Sequence, residues 1–192
     1  MYLGPVFGYH GCPATVAHRV LNGEVEHLFL SDSKAEWLGK GVYFWENNYT
    51  RAMQWAEKHV KDDTPAVIGA IISPGTCLDL TDAGCLDGLS IVAETFEGAY
   101  VKKYGRLPTK NRAGYHPYDC ALINHYRECW EISNPGRRIN TVRGAFSEGR
   151  TIADSSFATQ NHIQWAVITP EESIIGYFRP TQAMMLARTI GL

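Results

Sequence analysis

Three strand-like segments, 140–146, 163–169 and 174–178, close the chain with no helical pattern between them. The regular alternation of strand and helix that a doubly wound sheet needs is therefore missing. Upstream, the β-branched run Ala66-Val67-Ile68-Gly69-Ala70-Ile71-Ile72 reads as a buried strand. Residues 5–11 read as a short strand ending in a glycine turn. Helices are expected over 14–21, stopped by Asn22-Gly23, and over about 84–104 and 118–130. The clearest helix is 47–60, where Ala52, Trp55, Ala56 and Val60 recur at spacings of three and four behind Asn47 or Asn48 as cap. These elements fit an α+β domain over 1–180, followed by a tail from Thr181 to Leu192. Ala183, Met184, Met185, Leu186 and Ile190 make that tail apolar, either packed on the domain or offered to a partner.

Size and charge narrow the function. A chain of 192 residues can bury roughly 70% of its unfolded surface and needs no disulfide or metal to hold it. Its five cysteines are an odd number without a CxxC pair, which suggests free thiols in a reducing, cytoplasmic setting. No apolar run approaches a membrane span, and Met1 to Val6 lacks the basic and apolar parts of a signal peptide. Eighteen Lys and Arg against 20 Asp and Glu exclude a globally basic nucleic-acid coat. They do not exclude local contact: Lys102, Lys103, Arg106, Lys110 and Arg112 form a basic loop suited to a solvated surface or to a phosphate backbone. His116, Cys120, His125 and Cys129 have spacings that invite a zinc site. Pro117 places the helix start after His116, so these residues read as core thiols and imidazoles, and no metal is expected.

Three segments carry chemistry. Gly8-Tyr9-His10-Gly11 delivers an imidazole beside a glycine whose backbone N–H and C=O stay open to a ligand. Trp37-Leu38-Gly39-Lys40-Gly41-Val42-Tyr43-Phe44 is a Gly-x-Gly turn into an aromatic strand, running on to a helix with Arg51, Gln54 and Trp55. The third, His162-Ile163-Gln164-Trp165-Ala166-Val167, lies near the C-terminus. Neither Gly-x-Gly-x-x-Gly nor Gly-Lys-Ser/Thr is present, so the phosphate loops of dinucleotide folds and P-loop enzymes are absent. The set describes a pocket for a flat, amide-bearing ring and a ribose.

In this combination the chain resembles the ADP-ribosyltransferase superfamily, in the branch of poly(ADP-ribose) polymerases and diphtheria-like toxins. The segment Leu38 to Phe44 matches that branch's second motif nearly residue for residue, and the motifs extend from His10 to Phe178. The resemblance implies a split β-sandwich, with helices flanking two sheets, that binds NAD in an extended cleft. His10 would bond the adenosine-side ribose and Gly11 the nicotinamide carboxamide. Tyr43 would stack on the nicotinamide, beside Gly41, with Trp55 or Gln54 on the following helix closing over it. Arg143 would either hold the pyrophosphate or pair with an acid. Small bacterial members of this kind imply a mono-ADP-ribosyltransferase of toxin–antitoxin or phage-defence type. Its acceptor would be a macromolecule, RNA or DNA ahead of protein, and an antitoxin would accompany it.

One position departs from the family. Gln164 stands where the branch carries a catalytic Glu. Cleavage of the nicotinamide bond builds an oxocarbenium-like centre, and bonds to the 2-hydroxyl strengthen in that transition state. Replacing a charged acceptor by an amide costs about 1–1.5 kcal/mol, about tenfold in rate. Gln164 can position the ribose but cannot act as general base. Glu148, in the loop before the last motif, is the candidate base, with His162 or the acceptor itself as alternatives. The missing Glu also keeps open a non-catalytic module that binds NAD or ADP-ribose.

Overall fold

A computed structural model describes residues 4–31, 33 and 36–181. Among them, seven strands share one sheet in the order β4-β5-β6-β2-β1-β3-β7. The strands are β1 (Val6–Pro13), β2 (Val42–Glu46), β3 (Pro65–Ile72), β4 (Cys77–Asp79), β5 (Thr141–Phe146), β6 (His162–Val167) and β7 (Ile174–Phe178). All neighbours are antiparallel except β4 and β5. The helices are α1 (Ala14–Leu21), α2 (Tyr49–His59), α3 (Ala83–Tyr104), α4 (Pro117–Ser133) and the single turn α5 (Pro170–Ser173). The α+β class expected from the sequence holds. The tail, expected either to pack on the domain or to meet a partner, lies from residue 182 on outside the described residues.

The two separate sheets expected from the resemblance are one sheet with a narrow seam. β1 pairs with β3 over all eight of its residues but with β2 only at Gly8↔Glu46 and Tyr9↔Trp45. Beyond Tyr9 the strands part, because β2 follows β6 from Trp45↔Gln164 to Val42↔Val167. β1 also continues past its glycine to Pro13 instead of ending there.

Alternation along the strands sends residues to two faces. On one, Ala17 and Val20 of α1 pack with Cys12, Phe44, Ile68 and the fully buried Trp165. On the other, Tyr49 and Ala52 of α2 cover Tyr9, Trp45 and Val67, while Ile123 of α4 covers Tyr43, Val142 and Ala166. Asn48 caps α2, its side chain accepting from Arg51 N at 3.0 Å. α2 can approach β1 closely because position 11 is glycine: a Cβ there would overlap the Ala52 carbonyl oxygen. No helix among the described residues is long and apolar enough to cross a membrane.

Candidate functional site

A cleft of about 800 Å³ opens where β1 and β2 part, and His10, Gly11, Gly41, Tyr43, Trp55, Glu148 and Gln164 all line it. His10 bridges the gap, its Nδ1 lying 2.7 Å from the Tyr43 carbonyl oxygen. A carbonyl only accepts, so Nδ1 carries the proton and Nε2 is left as an acceptor. Burial lowers the His10 pKa and keeps the ring neutral, against the opposing pull of that hydrogen bond. Gly11 is oriented by the strand. Phe7 O accepts from Asn47 N at 2.9 Å, so Phe7 points its backbone toward β2. Backbone direction repeats every second residue, so the N–H and C=O of Gly11 point the same way, into the gap that β2 has left.

The turn before β2 is built around Tyr43. Its hydroxyl donates to Gly39 O at 2.7 Å and accepts from Leu38 N at 2.9 Å. Gly39 has φ +79°, a left-handed conformation that favours glycine, and Asn124 of α4 accepts from Lys40 N at 3.1 Å. Burial drives the Tyr43 phenol far above its ordinary range, so Tyr43 offers the cleft a fixed ring wall and no acid or base. Gly41 lies tight against β6, where a Cβ would come 3.0 Å from that of Ala166.

Gln164 is buried, and its Oε1 accepts from Trp37 Nε1 at 2.6 Å. Indole nitrogen only donates, which assigns the amide orientation: the oxygen faces Trp37 and the NH₂ is the other end. Trp37 is itself stacked on Phe146, with ring centroids 3.9 Å apart. Position 164 therefore presents donors more readily than the acceptor that a family glutamate would supply.

Glu148 shares the cleft with Gln164, and Arg51 reaches it from α2. Arg51 donates through Nη2 to Glu148 Oε2 at 2.8 Å and through Nη1 to Gln54 Oε1 at 3.0 Å. His162 stands 3.8 Å from the same carboxylate but does not line the cleft. Its Nδ1 is 2.7 Å from Gln160 O, and its buried Nε2 has no partner among the described residues. Burial first, and then the nearby Arg51 charge, lower the His162 pKa.

Of the expected second aromatic and its alternative, both Trp55 and Gln54 line the cleft. Trp55 is half-exposed and stacks on His59 at 4.5 Å. Arg143 is not brought to the cleft. Its guanidinium bonds Glu46 at 2.9 Å and Asp79 at 3.2 Å, and Trp165 Nε1 donates to the same Glu46. The pairing alternative for Arg143 is the observed one, since strands β2 and β4 bring both acids to it. The Cys12 thiol lies in the core under α1, and burial pushes its pKa up to about 11. Along α4, His116 is the N-cap residue, as Pro117 suggested, and pairs with Asp119.

Trp37, Arg51 and Glu36 also line the cleft, and the sequence reading assigned none of them a role. Trp37 and Arg51 act on partners 127 and 97 positions away, which no local pattern discloses. Glu36 accepts from Ser31 Oγ at 2.8 Å, and burial pushes its carboxyl above the ordinary range. A perturbed carboxyl in a cleft is the only signal that marks it, and it needs coordinates. Comparisons of the chain with protein-family models, curated proteins and solved structures find no match.

Proposed function

We propose that this chain is an NAD-dependent mono-ADP-ribosyltransferase that modifies a macromolecular acceptor, RNA or DNA ahead of protein. The carrying observation is convergence: His10, Gly11, Tyr43 and Gln164, from three separated strands, line one cleft at the split in the sheet. The donor set fits the dinucleotide. The volume falls in the usual range for a small-molecule site. Gly11 offers one N–H and one C=O, the complement of a carboxamide, and His10 Nε2 can accept from a ribose hydroxyl. The Tyr43 ring is suited to an offset stack worth about 0.5–1.5 kcal/mol.

NAD supplies the ADP-ribosyl group when its bond to nicotinamide breaks. Gln164 positions the ribose through its amide, with Trp37 holding the amide's orientation. Glu148 accepts the acceptor's proton, and Arg51 fixes that carboxylate at the cleft. Glu148 is preferred over His162 because it alone of the two lines the cleft. A role in a toxin–antitoxin or phage-defence system, with an antitoxin as protein partner, rests on the resemblance alone, and its cytoplasmic setting on the cysteine pattern.

The test is nicotinamide release from NAD, followed by labelling of a cell lysate with ADP-ribose-labelled NAD. Label removed by nuclease supports a nucleic-acid acceptor, and label removed only by protease assigns a protein one. Binding of NAD without nicotinamide release would assign the cleft to a non-catalytic NAD-binding module.

A further inference from the structure

Beside the cleft, the segment from the end of α3 to the start of α4 is exposed from Val101 to Tyr115 except at Pro108. Lys102, Arg106, Lys110 and Arg112 lie on it and form no ion pair with a described residue, whereas Lys103 is paired with Glu128 at 3.0 Å. Tyr104 and Tyr115 are exposed among these cations. The nearby acids are engaged: Asp119 accepts from Asn111 Nδ2 at 2.7 Å, and Glu97 from the Tyr118 hydroxyl at 3.3 Å. The segment is also pinned. Arg112 and Tyr115 close a turn through two backbone bonds of 2.8 and 3.0 Å, and Asn111 Oδ1 accepts from Tyr118 N at the start of α4. The same turn delivers Gly114 and His116 to the wall of the cleft, and the His116 ring lies 4.6 Å from Trp37.

We infer that this segment is a docking track for single-stranded nucleic acid, leading a strand into the cleft with a base stacked on Tyr115. Unpaired cations on a pinned backbone give phosphates fixed partners, and exposed aromatics among them are the platform on which unpaired bases stack. A single strand is favoured over a duplex because a base inside a duplex cannot bring its atoms to an enclosed site. The inference adds an acceptor surface to the proposed transferase reading, but strand binding needs no NAD and is measured without it.

Fluorescently labelled single-stranded RNA, single-stranded DNA and duplex DNA of about 12 units are titrated with the full chain by anisotropy. At least one single strand should bind five-fold or more tighter than the duplex, and which strand binds names the sugar preference. With four phosphates neutralised, affinity should fall about fifty-fold from about 50 to 200 mM salt. Replacing the four cations together (K102Q, R106Q, K110Q, R112Q) should weaken binding at least ten-fold and flatten the salt dependence. Tyr115→Ala should weaken it about five-fold or more with the salt slope unchanged. No strand binding at low salt, duplex binding as tight as single-strand binding, or a four-cation variant that binds like the parent each overturns the inference. Nicotinamide release from NAD, measured alongside without nucleic acid, should be equal in parent and variants. A parent that binds strands but releases no nicotinamide overturns the transferase reading alone, and the reverse overturns only the track.

Discussion

At the scale of single residues, the proposed transferase reading assigns to two cleft side chains, Gln164 and Glu148, the work that one glutamate does in the family the chain resembles. Gln164→Glu restores a charged acceptor at the ribose and should raise nicotinamide release about tenfold. Glu148→Gln keeps shape and removes the base. Transfer to the acceptor should fall by about 10²-fold or more, with NAD affinity little changed. Transfer that survives Glu148→Gln undiminished would remove Glu148 as the base. Trp37→Phe tests the orientation of the amide. It retains an aromatic ring against Phe146 but deletes the donor to Gln164 Oε1. One neutral hydrogen bond is worth about 1 kcal/mol, so KM for NAD should rise about fivefold and the melting temperature should fall by about 2–4 °C. A KM equal to the parent's would show that Trp37 has no hold on the site.

At the scale of elements, glycines set how closely helices and strands approach. Gly11 lets α2 lie against β1, and an added Cβ would overlap a backbone atom, which cannot rotate away. Gly11→Ala should destabilise the fold by about 1–3 kcal/mol, read as a lower urea midpoint. Gly98 is the control. It lies in α3, exposed, with nothing within 4 Å of the position a Cβ would take. Gly98→Ala should therefore stabilise by about 0.5–1 kcal/mol through helix propensity. Equal effects of the two substitutions would mean that α2 is not seated on β1 as described. The same contact serves the site, because α2 also carries Arg51, Gln54 and Trp55 to the cleft.

At the scale of the whole molecule, two desolvated imidazoles, the part-buried His10 and the buried His162, tie stability to pH. His10 and His162 both have pKa values lowered from about 6.5, chiefly by burial. The unfolded chain then takes up protons at a higher pH than the folded one. Their contribution is fully present above pH about 6.5 and is lost as pH falls from there through the lower folded values. Urea midpoints should drop across that interval, and His162→Gln should flatten the drop. A midpoint that rises on acidification to pH about 5 would contradict the neutral state of both rings.

Sequence alone determined those parts whose causes are local. The α+β class follows from periodicities within single segments. α2 follows from its apolar spacing and its Asn48 cap, and α4 begins at Pro117 as read. The turn before β2 is legible for the same reason: Tyr43 bonds Gly39 and Leu38, four and five positions away. Tertiary structure decided the rest, because the partners come from distant segments. β4 is three residues long, too short to show a period, and forms because β5 pairs with it. Whether Arg143 would face a ligand or an acid depended on Glu46 and Asp79, 97 and 64 positions away. The sequence marked Gly11 as open to a ligand, but it took the packed α2 to show that the same glycine also seats a helix. The single seamed sheet has the same origin. The pairing of β1 with β3 and of β2 with β6 leaves only two residue pairs between β1 and β2, and the cleft is the space where those pairings diverge.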